Sequence, residues 1–379
     1  MPAQLTSTAA SSHALAFGIL RLLDNDGDAP SSSKACSPLS IIIAIGMLAG
    51  AADSVSKKGL CHKLGIAEPA NLGSNFEEIL ALLGIEDEHS AITGANGLFT
   101  DHSVTIRQGY LDFVAIFGAS VTQYPQLDKA VVDINTWVAG HTRGLIQDLL
   151  SAGALRNAHA VLINTLAFKG TWKREFDMKN TQETKFHIPG QEPKLVSMMF
   201  QRGIKVASLE GDKYTAVRLP YTAASESQST SLIAYLPSKD VSLRQFISDM
   251  GTAAAVAAAA VAAVSPSKFA ENKFDVFGFP KFSLDTKCHI LDKLSQLGFP
   301  LAGSYPELGG PNSEVSDVIH QAVIKIDEQG TEAAAATAVV MRRSRPVQSR
   351  TLIFDRPFYF ALVHDESNLA LFAGIFCGS

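Results

Sequence analysis

The chain has 379 residues, 46% of them hydrophobic, a composition that excludes an intrinsically disordered protein. Its formal net charge of -5 argues against nucleic acid or an anionic membrane surface as a partner. The apolar stretch at residues 41–52 is too short to cross a bilayer, and the N-terminus lacks the basic and apolar blocks of a secretory signal.

The first half of the chain is predicted to be mostly helical, because apolar residues recur there at spacings of three and four. Pro38 follows Ser37 at the start of one apolar stretch, a position where a helix accepts proline. The alanine-rich residues 252–264 also predict a helix, since alanine has the highest helix propensity. The other predicted helices are 13–23, 37–52, 75–83, 105–117 and 131–150.

Strand patterns dominate the second half, where β-branched, aromatic and alternating apolar residues are frequent. The polar residues 365–368 predict a hairpin turn between the last two strands. Helices followed by strands, with no linker between them, predict one α+β domain over residues 1–379. The predicted strands are 161–168, 214–220, 231–236, 274–284, 358–364 and 369–376.

No motif indicates a catalytic or metal centre. The chain has no nucleophile elbow, no phosphate-binding loop and no His-Glu-x-x-His sequence. Cys61-His62 is interpreted as a structural pair, and His364-Asp365 as a solvated part of the hairpin. We therefore expect a protein that is not an enzyme and needs no cofactor or metal.

The four cysteines are widely scattered, which favours free thiols over a disulfide framework. They are Cys36, Cys61, Cys288 and Cys377. Together with the absent signal sequence, they predict a cytoplasmic protein, which could also be released from cells without a classical signal peptide.

The segment from Asp327 to Pro346 has the most distinctive composition. It begins with Asp-Glu-Gln-Gly, continues through small residues without proline, and reaches a cluster of arginines that a trypsin-like protease would cleave. A segment that can form a strand and also present a cleavage site is typical of an inhibitor rather than an enzyme.

Motifs along nearly the whole chain, in a shared order and spacing, resemble those of the serpin family. They are Ser37-Pro-Leu-Ser-Ile41, Ile134-Asn-Thr-Trp-Val138, Asn164-Thr-Leu-Ala-Phe-Lys-Gly-Thr-Trp172, Gln201-Arg-Gly203, Leu219-Pro-Tyr221, Asp355-Arg-Pro-Phe358 and Leu371-Phe-Ala-Gly374. The resemblance implies a serpin fold with three β-sheets, eight to nine helices and an exposed reactive-centre loop at about residues 328–350. It also implies a covalent, loop-inserting suicide inhibitor of proteases.

The resemblance also implies which residues form the hinge of that loop. They are Glu328, Gly330, Thr331, Glu332, Ala333, Ala334, Ala335, Ala336 and Thr337. Side chains alternate along a strand, so one face, from Thr331 through Thr337 to Met341, carries no charge and can be buried. The opposite face begins with Glu332 and ends with Arg342. A charge on the buried face would cost several kcal/mol.

Three arginines compete as the residue that the protease attacks: Arg342, Arg343 and Arg345. Counting from the hinge at the family's usual spacing gives Ser344, whereas counting back from Pro357 gives a later residue. Trypsin-like enzymes cut poorly before proline, and Pro346 follows Arg345. We therefore favour the Arg343–Ser344 bond. Arg342–Arg343, Arg345–Pro346 and a chymotrypsin- or elastase-type cut after Met341 or Ser344 remain alternatives.

A second set of residues matches the family's control points for opening the main sheet. Ser37, Ser40, Asn164 and His320 correspond to a buried polar cluster under the sheet, and Trp172 marks its upper end. Ordinary hydrogen bonding in the core is the alternative interpretation.

The expected partner is a trypsin-like serine protease, bound covalently by a monomeric inhibitor. A serpin that no longer inhibits and acts as a carrier, chaperone or interaction protein is the alternative, but bulky, charged or proline residues would then be expected in the hinge. Heparin activation is not expected, because residues 71–92 lack a basic cluster.

Overall fold

Nine α-helices and fifteen strands form the part of the chain that this computed structural model describes, which is residues 3–23, 32–83, 90–251, 268–301, 304–310, 313–331 and 350–378. No helix in these ranges has the length and apolar content of a membrane span. The helices are α1 Ala3–Leu23, α2 Pro38–Ala51, α3 Ser54–Lys63, α4 Leu72–Leu83, α5 Gln108–Ala115, α6 Val131–His141, α7 Leu243–Gly251, α8 Ile290–Gln296 and α9 Pro306–Gly309.

The strands form two hydrogen-bonded sets. They are β1 Lys34–Cys36, β2 Ser90–Asp101, β3 Ser120–Tyr124, β4 Ala160–Thr171, β5 Thr181–Phe186, β6 Lys194–Glu210, β7 Tyr214–Pro220, β8 Thr230–Pro237, β9 Ala270–Pro280, β10 Phe282–His289, β11 Asp317–Ile326, β12 Gly330–Thr331, β13 Thr351–Ile353, β14 Phe358–His364 and β15 Ala370–Phe376. The smaller set is a six-stranded sheet in the order β10-β11-β4-β2-β3, with the short β12 added to β4.

The larger set is a nine-stranded sheet in which the long strand β6 pairs with three others. Its order is β1-β15-β14-β8-β7-β6-β9-β13, and β5 also pairs with β6. The 17-residue β6 pairs with β9 over most of its length and with β7 only over residues 207–210. The architecture agrees with the predicted α+β fold, and the described strands form two hydrogen-bonded sheets.

Helix α2 is the buried centre of the molecule, and its start follows the predicted rule. Ser37 caps the helix by accepting a hydrogen bond from the Ser40 N–H at 3.1 Å, with Pro38 in the first turn. A Cβ atom on Gly46 would lie 2.4 Å from the Phe76 ring, and one on Gly50 would lie 2.0 Å from Phe113. These glycines therefore permit the close packing of α2 against its neighbours.

One predicted helix is shorter in the structure than expected. The predicted helix at 131–150 ends at His141, because Arg143 and Gly144 take positive φ angles of 53° and 77°. Ile146 and Leu149 remain buried, so the apolar pattern continues without helical structure. Helices α3, α7, α8 and α9 were not predicted, and the predicted alanine-rich helix at 252–264 lies outside the described residues.

The strand predictions were correct at 161–168, 214–220, 231–236, 358–364 and 369–376, to within a few residues. The predicted strand at 274–284 is instead two strands in different sheets, broken at Lys281. Strands β1, β2, β3, β5, β6, β11 and β13 were not predicted. In β2, Gly94 and Gly97 weaken the strand pattern, yet a Cβ on Gly94 would come within 2.7 Å of the Thr165 carbonyl oxygen.

The hairpin turn was predicted correctly, but its solvation was not. His364 and Asp365 are only 2% and 9% exposed. The His364 ring hydrogen-bonds to the Ser367 hydroxyl and the Ser227 carbonyl, and the Asp365 carboxylate pairs with Arg218. The turn therefore faces the protein, where these partners replace water. All four cysteines are free, as predicted, and buried.

Candidate functional site at the seam of the six-stranded sheet

The centre of the six-stranded sheet is a parallel pair, β11 and β4, which we call the seam. Its register runs from Asp317 beside Val161 to Ile324 beside Phe168. The chain leaves β11 at the upper end of this pair and enters the predicted loop directly. The two strands of the seam and the start of the predicted loop therefore lie next to each other.

A tight turn reverses the chain above β11. The Asp327 N–H donates to the Gly330 carbonyl at 2.8 Å, and the Gly330 N–H donates back to the Asp327 carbonyl at 3.2 Å. Gly330 and Thr331 then pair antiparallel with Thr171 and Gly170 of β4. Gly330 has a φ of 127°, and a Cβ there would lie 2.2 Å from the Gly170 carbonyl oxygen, so the position requires glycine.

Glu328 anchors this turn to the rest of the protein. Glu328 is only 4% exposed, and its carboxylate accepts hydrogen bonds from Lys281 Nζ and Thr181 Oγ1, each at 2.8 Å. Burial raises the pKa of Glu328, but the bonds from Lys281 and Thr181 outweigh it and hold the pKa below the ordinary value. The break between β9 and β10 puts Lys281 in reach.

Backbone and indole donors hold the same turn from the other side. Trp172 donates its backbone N–H to the Gln329 carbonyl and its indole N–H to the Asp327 carbonyl, both at 2.9 Å. The Phe176 N–H donates to the Glu328 carbonyl at 2.7 Å. Residues 172–176 thus fix three successive carbonyls of the hinge.

A buried polar cluster lies beneath the middle of the seam, where α2 begins. The Ser37 N–H donates to His320 Nε2 at 3.1 Å, and the Ser37 hydroxyl donates to the Leu371 carbonyl at 2.6 Å. Asn164 Oδ1 accepts from the Ser40 hydroxyl and from His320 Nδ1. Because Asn164 and His320 are register partners across the seam, the cluster joins both strands to α2.

These contacts fix the state of His320. Its Nε2 accepts from a backbone N–H, so the proton of the neutral ring sits on Nδ1 and is donated to Asn164. Burial lowers the pKa of His320 to about 4, and a hydrogen bond with Asn164 raises it only in part. Protonation would remove the acceptor for the Ser37 N–H and place a charge in the core.

We expect acid to destabilise the native state through His320. Its pKa is about 4 when folded and 6.5 when unfolded, so its contribution is complete above pH 6.5 and is lost as the pH falls towards 4. The loss at pH 4.5 should be about 2–3 kcal/mol relative to pH 7.5. Denaturant unfolding of the wild type and of His320→Gln at both pH values measures it.

His13 provides the comparison, because burial also lowers its pKa to about 4 while its ring bonds to the Asn368 carbonyl, away from the seam. Both His13→Gln and His320→Gln should therefore reduce the acid sensitivity by a similar amount. An unchanged pH dependence in His320→Gln would contradict this account.

The structure thus brings Ser37, Ser40, Asn164 and His320 into one network and places Trp172 separately, beside the hinge. Glu328, Gly330 and Thr331 form the turn and the start of β12. The other hinge residues (Glu332, Ala333, Ala334, Ala335, Ala336 and Thr337) and the candidate cleavage residues (Arg342, Arg343, Ser344 and Arg345) lie outside the described residues.

Sequence reasoning missed three residues of this site. Asn96 extends the cluster by accepting from Asn164 Nδ2 at 2.7 Å, and Lys281 and Thr181 bind Glu328. The position of Asn96 between Gly94 and Gly97 gave only a weak indication that its side chain has a role in the polar cluster. Nothing local distinguishes Lys281 or Thr181, whose roles depend on contacts across strands.

Comparisons with known proteins agree with this architecture. The family model described as Serpin (serine protease inhibitor) matches residues 10–378. A serine protease inhibitor from Cyanea capillata is 30% identical over 358 residues, which cover 89% of this chain and 90% of that protein.

Two solved structures share the fold. The native state of the thermophilic serpin tengpin has a TM-score of 0.84 at 23% identity and covers 100% of this chain and 95% of its own. Human thyroxine-binding globulin has a TM-score of 0.83 at 20% identity and covers 98% of both chains. The family match over nearly the whole length confirms the resemblance and the predicted fold. This chain belongs to the serpin family.

Proposed function

We propose that this serpin is a suicide inhibitor of trypsin-like serine proteases, which inserts the residues after Gly330 between β11 and β4. The pairing of Gly330 with Thr171 and of Thr331 with Gly170 carries the proposal. In this antiparallel register the numbers of paired residues add up to 501. Continued down β4, it pairs Thr337 with Asn164 and Met341 with Ala160, the first residue of the strand.

The side chains expected on the two faces fit this register. Thr337 would point towards the Asn164–His320 cluster, where its hydroxyl can hydrogen-bond. Ala333 and Ala335 would point to the same side of the sheet as Thr337, towards the main hydrophobic core. On the other face, Glu332 would lie opposite Lys169, which is exposed. The β11–β4 register ends at Ile324 beside Phe168. Extended by one residue, it places Lys325 beside Lys169, so these two lysines would lie on either side of Glu332.

The covalent step follows from the chemistry of the target. The protease serine oxygen attacks the carbonyl carbon of Arg343, the Arg343–Ser344 bond breaks, and the amine released on Ser344 takes the proton. The product is an ester that joins Arg343 to the protease. Insertion would then replace one parallel ladder along the seam by two antiparallel ladders, which favours the inserted state.

The geometry of β4 sets how far the protease would travel. Residues 330–341 match the 12 residues of β4, a length of about 41 Å, so Arg343 would come to rest just beyond the far end of the sheet. Inhibition results if insertion distorts the bound active site before water hydrolyses the ester. The native state must therefore be a kinetic trap.

Incubation with trypsin tests the proposal. A complex that survives denaturing electrophoresis should form, and mass spectrometry of the released C-terminal peptide should find Ser344 as its first residue. A peptide that begins at Arg343 or Pro346 would move the cleaved bond to one of the alternatives. Cleavage of the loop without a stable complex would contradict inhibition and favour a non-inhibitory carrier, chaperone or interaction protein.

A charge exchange tests the insertion register. Lys169→Glu should place like charges opposite each other in the inserted strand and weaken insertion by about 0.2–1 kcal/mol, which corresponds to about a 1.4- to fivefold increase in loop cleavage relative to complex. Adding Glu332→Lys to Lys169→Glu should restore the wild-type ratio. The ratio of complex to cleaved protein on a gel measures both. A double variant no better than Lys169→Glu would argue against this register.

We further propose a monomeric protein of the cytoplasm, since all four cysteines are free and buried. Its inhibition rate should not change when heparin is added. Sedimentation of the purified protein and rate measurements with and without heparin check these two expectations.

A further inference from the structure

We propose that Thr165 and Gln321 promote insertion of the loop, because they destabilise the closed seam at one step of its register. The two residues are register partners across the seam, on β4 and β11. They directly follow Asn164 and His320, so their side chains point to the opposite face of the sheet from the buried polar cluster. The inference rests on the proposed function and assigns a role to two residues that the function does not otherwise use.

Both side chains are buried and incompletely hydrogen-bonded. Thr165 is 1% exposed and Gln321 is 7% exposed. Thr165 Oγ1 and Gln321 Oε1 form no hydrogen bond with any described residue. A buried polar atom without a partner destabilises the state in which it is buried, relative to a state in which it reaches water.

The neighbouring strand β10 explains why Gln321 Oε1 has no partner. Gln321 Nε2 donates to the Asp285 carboxylate at 2.5 Å, and a carboxylate only accepts, so this bond fixes which end of the amide carries the oxygen. Lys287 is the register partner of Gln321 on β10, but its ammonium group donates to the Leu149 carbonyl. The donor nearest in register is therefore bound elsewhere.

The neighbours of Thr165 on its own face of the sheet are apolar. Its register partner on β2 is Ala95, and the next residue of β4 on this face is Ile163. Ile163 belongs to an apolar cluster that also contains Ile134 and Val138 of α6. The Thr165 hydroxyl therefore lies among groups that cannot hydrogen-bond to it.

Opening the seam changes the surroundings of both polar groups at once. Insertion places a new strand between β4 and β11, and the register of β12 on β4 would bring Ala336 beside Thr165. The two strands have to separate by about 4.8 Å, the spacing of one strand, and water that enters the gap can hydrogen-bond to both groups. The unpaired groups thus raise the energy of the closed seam more than that of the open seam, which lowers the barrier to insertion.

Apolar substitutions of similar shape test this inference. Thr165→Val replaces the hydroxyl by a methyl group, and it should stabilise the closed seam and slow insertion relative to hydrolysis of the acyl-enzyme. We expect the ratio of cleaved protein to trypsin complex to rise about three- to tenfold. Gln321→Met should change the ratio in the same direction. Denaturing gels after incubation with trypsin measure the ratio.

Thr100→Val is the matched control. Thr100 lies on β2 of the same sheet, is fully buried, and its hydroxyl also forms no hydrogen bond with any described residue. It pairs with Ala160 on the side of β4 that faces away from the seam. Thr100→Val should therefore raise the midpoint of denaturant unfolding about as much as Thr165→Val, but it should leave the ratio of cleaved protein to complex unchanged.

Three outcomes would overturn the inference. An unchanged ratio in Thr165→Val, together with a raised unfolding midpoint, would show that the hydroxyl affects the core but not the seam. An equal rise of the ratio in Thr165→Val and Thr100→Val would show that the ratio follows overall stability. An unfolding midpoint of Thr165→Val at or below that of the wild type would show that the hydroxyl does not destabilise the closed seam.

A measurement without protease separates this inference from the proposed inhibition. A synthetic peptide with the sequence of residues 331–341 should insert into the seam about three- to tenfold more slowly in Thr165→Val than in Thr100→Val. Native gels over time measure its incorporation. If the wild type forms no trypsin complex, the proposed inhibition fails, while the two incorporation rates still decide the role of Thr165. Equal rates, or no incorporation in any variant, would overturn it.

Discussion

Replacing Ala335 by glutamate should convert the protein from an inhibitor of trypsin into a substrate. The register of β12 on β4 would place residue 335 opposite Leu166, which is 6% exposed and belongs to the main core. Burying a carboxylate there costs several kcal/mol, and a loss of 3 kcal/mol slows insertion more than about 100-fold. Hydrolysis of the acyl-enzyme would then overtake insertion.

The measurement is the number of inhibitor molecules consumed per trypsin molecule blocked. It should rise from about one to more than about ten in Ala335→Glu, because hydrolysis releases active protease. Ala334→Glu is the matched control, since residue 334 would face the side of the sheet that carries Lys169. It should remain a much better inhibitor than Ala335→Glu. Equal effects of the two substitutions would contradict the predicted faces of the inserted strand.

Replacing Arg343 by alanine should abolish inhibition of trypsin. Trypsin-like proteases bind the residue before the cleaved bond in a pocket specific for a basic side chain. Removing that side chain should lower the inhibition rate by more than about 100-fold, since specificity of this kind reflects differential transition-state binding. Thermal unfolding of Arg343→Ala, compared with the wild type, checks that the variant is folded.

Arg342→Ala and Arg345→Ala are the controls for this substitution. Each removes one neighbouring positive charge but leaves the favoured bond intact, so each should retain most of the inhibition rate. If Arg345→Ala abolished inhibition while Arg343→Ala did not, the cleaved bond would be Arg345–Pro346. The first residue of the released peptide identifies the bond independently.

The parts of the fold that follow from local chemistry were predictable from the sequence. Ser37 and Pro38 mark the start of α2, because capping and the fixed φ of proline act within one turn. The polar run at 365–368 gave the hairpin for the same reason. The uncharged alternation from Thr331 to Met341 is also a local property, and it specifies which face of an inserted strand could be buried.

Other features were decided by residues that meet across the sheets. Glu328 is charged in a buried position because its carboxylate pairs with Lys281. Lys281 lies 47 residues earlier in the chain, at the break between β9 and β10. Asn96 joins the polar cluster through the pairing of β2 with β4. The predicted strand at 274–284 had an alternating, aromatic-rich apolar pattern, yet its halves belong to different sheets.

The sequence by itself thus determined the family, the start of the central helix and the chemistry of the inserting segment, since each depends on neighbours in the chain. Only the tertiary structure decided that β12 already pairs with the top of β4, that His320 is neutral within a shared network, and that Asp365 is buried beside Arg218. These properties arise from burial and from partners far apart in sequence, which no local pattern specifies.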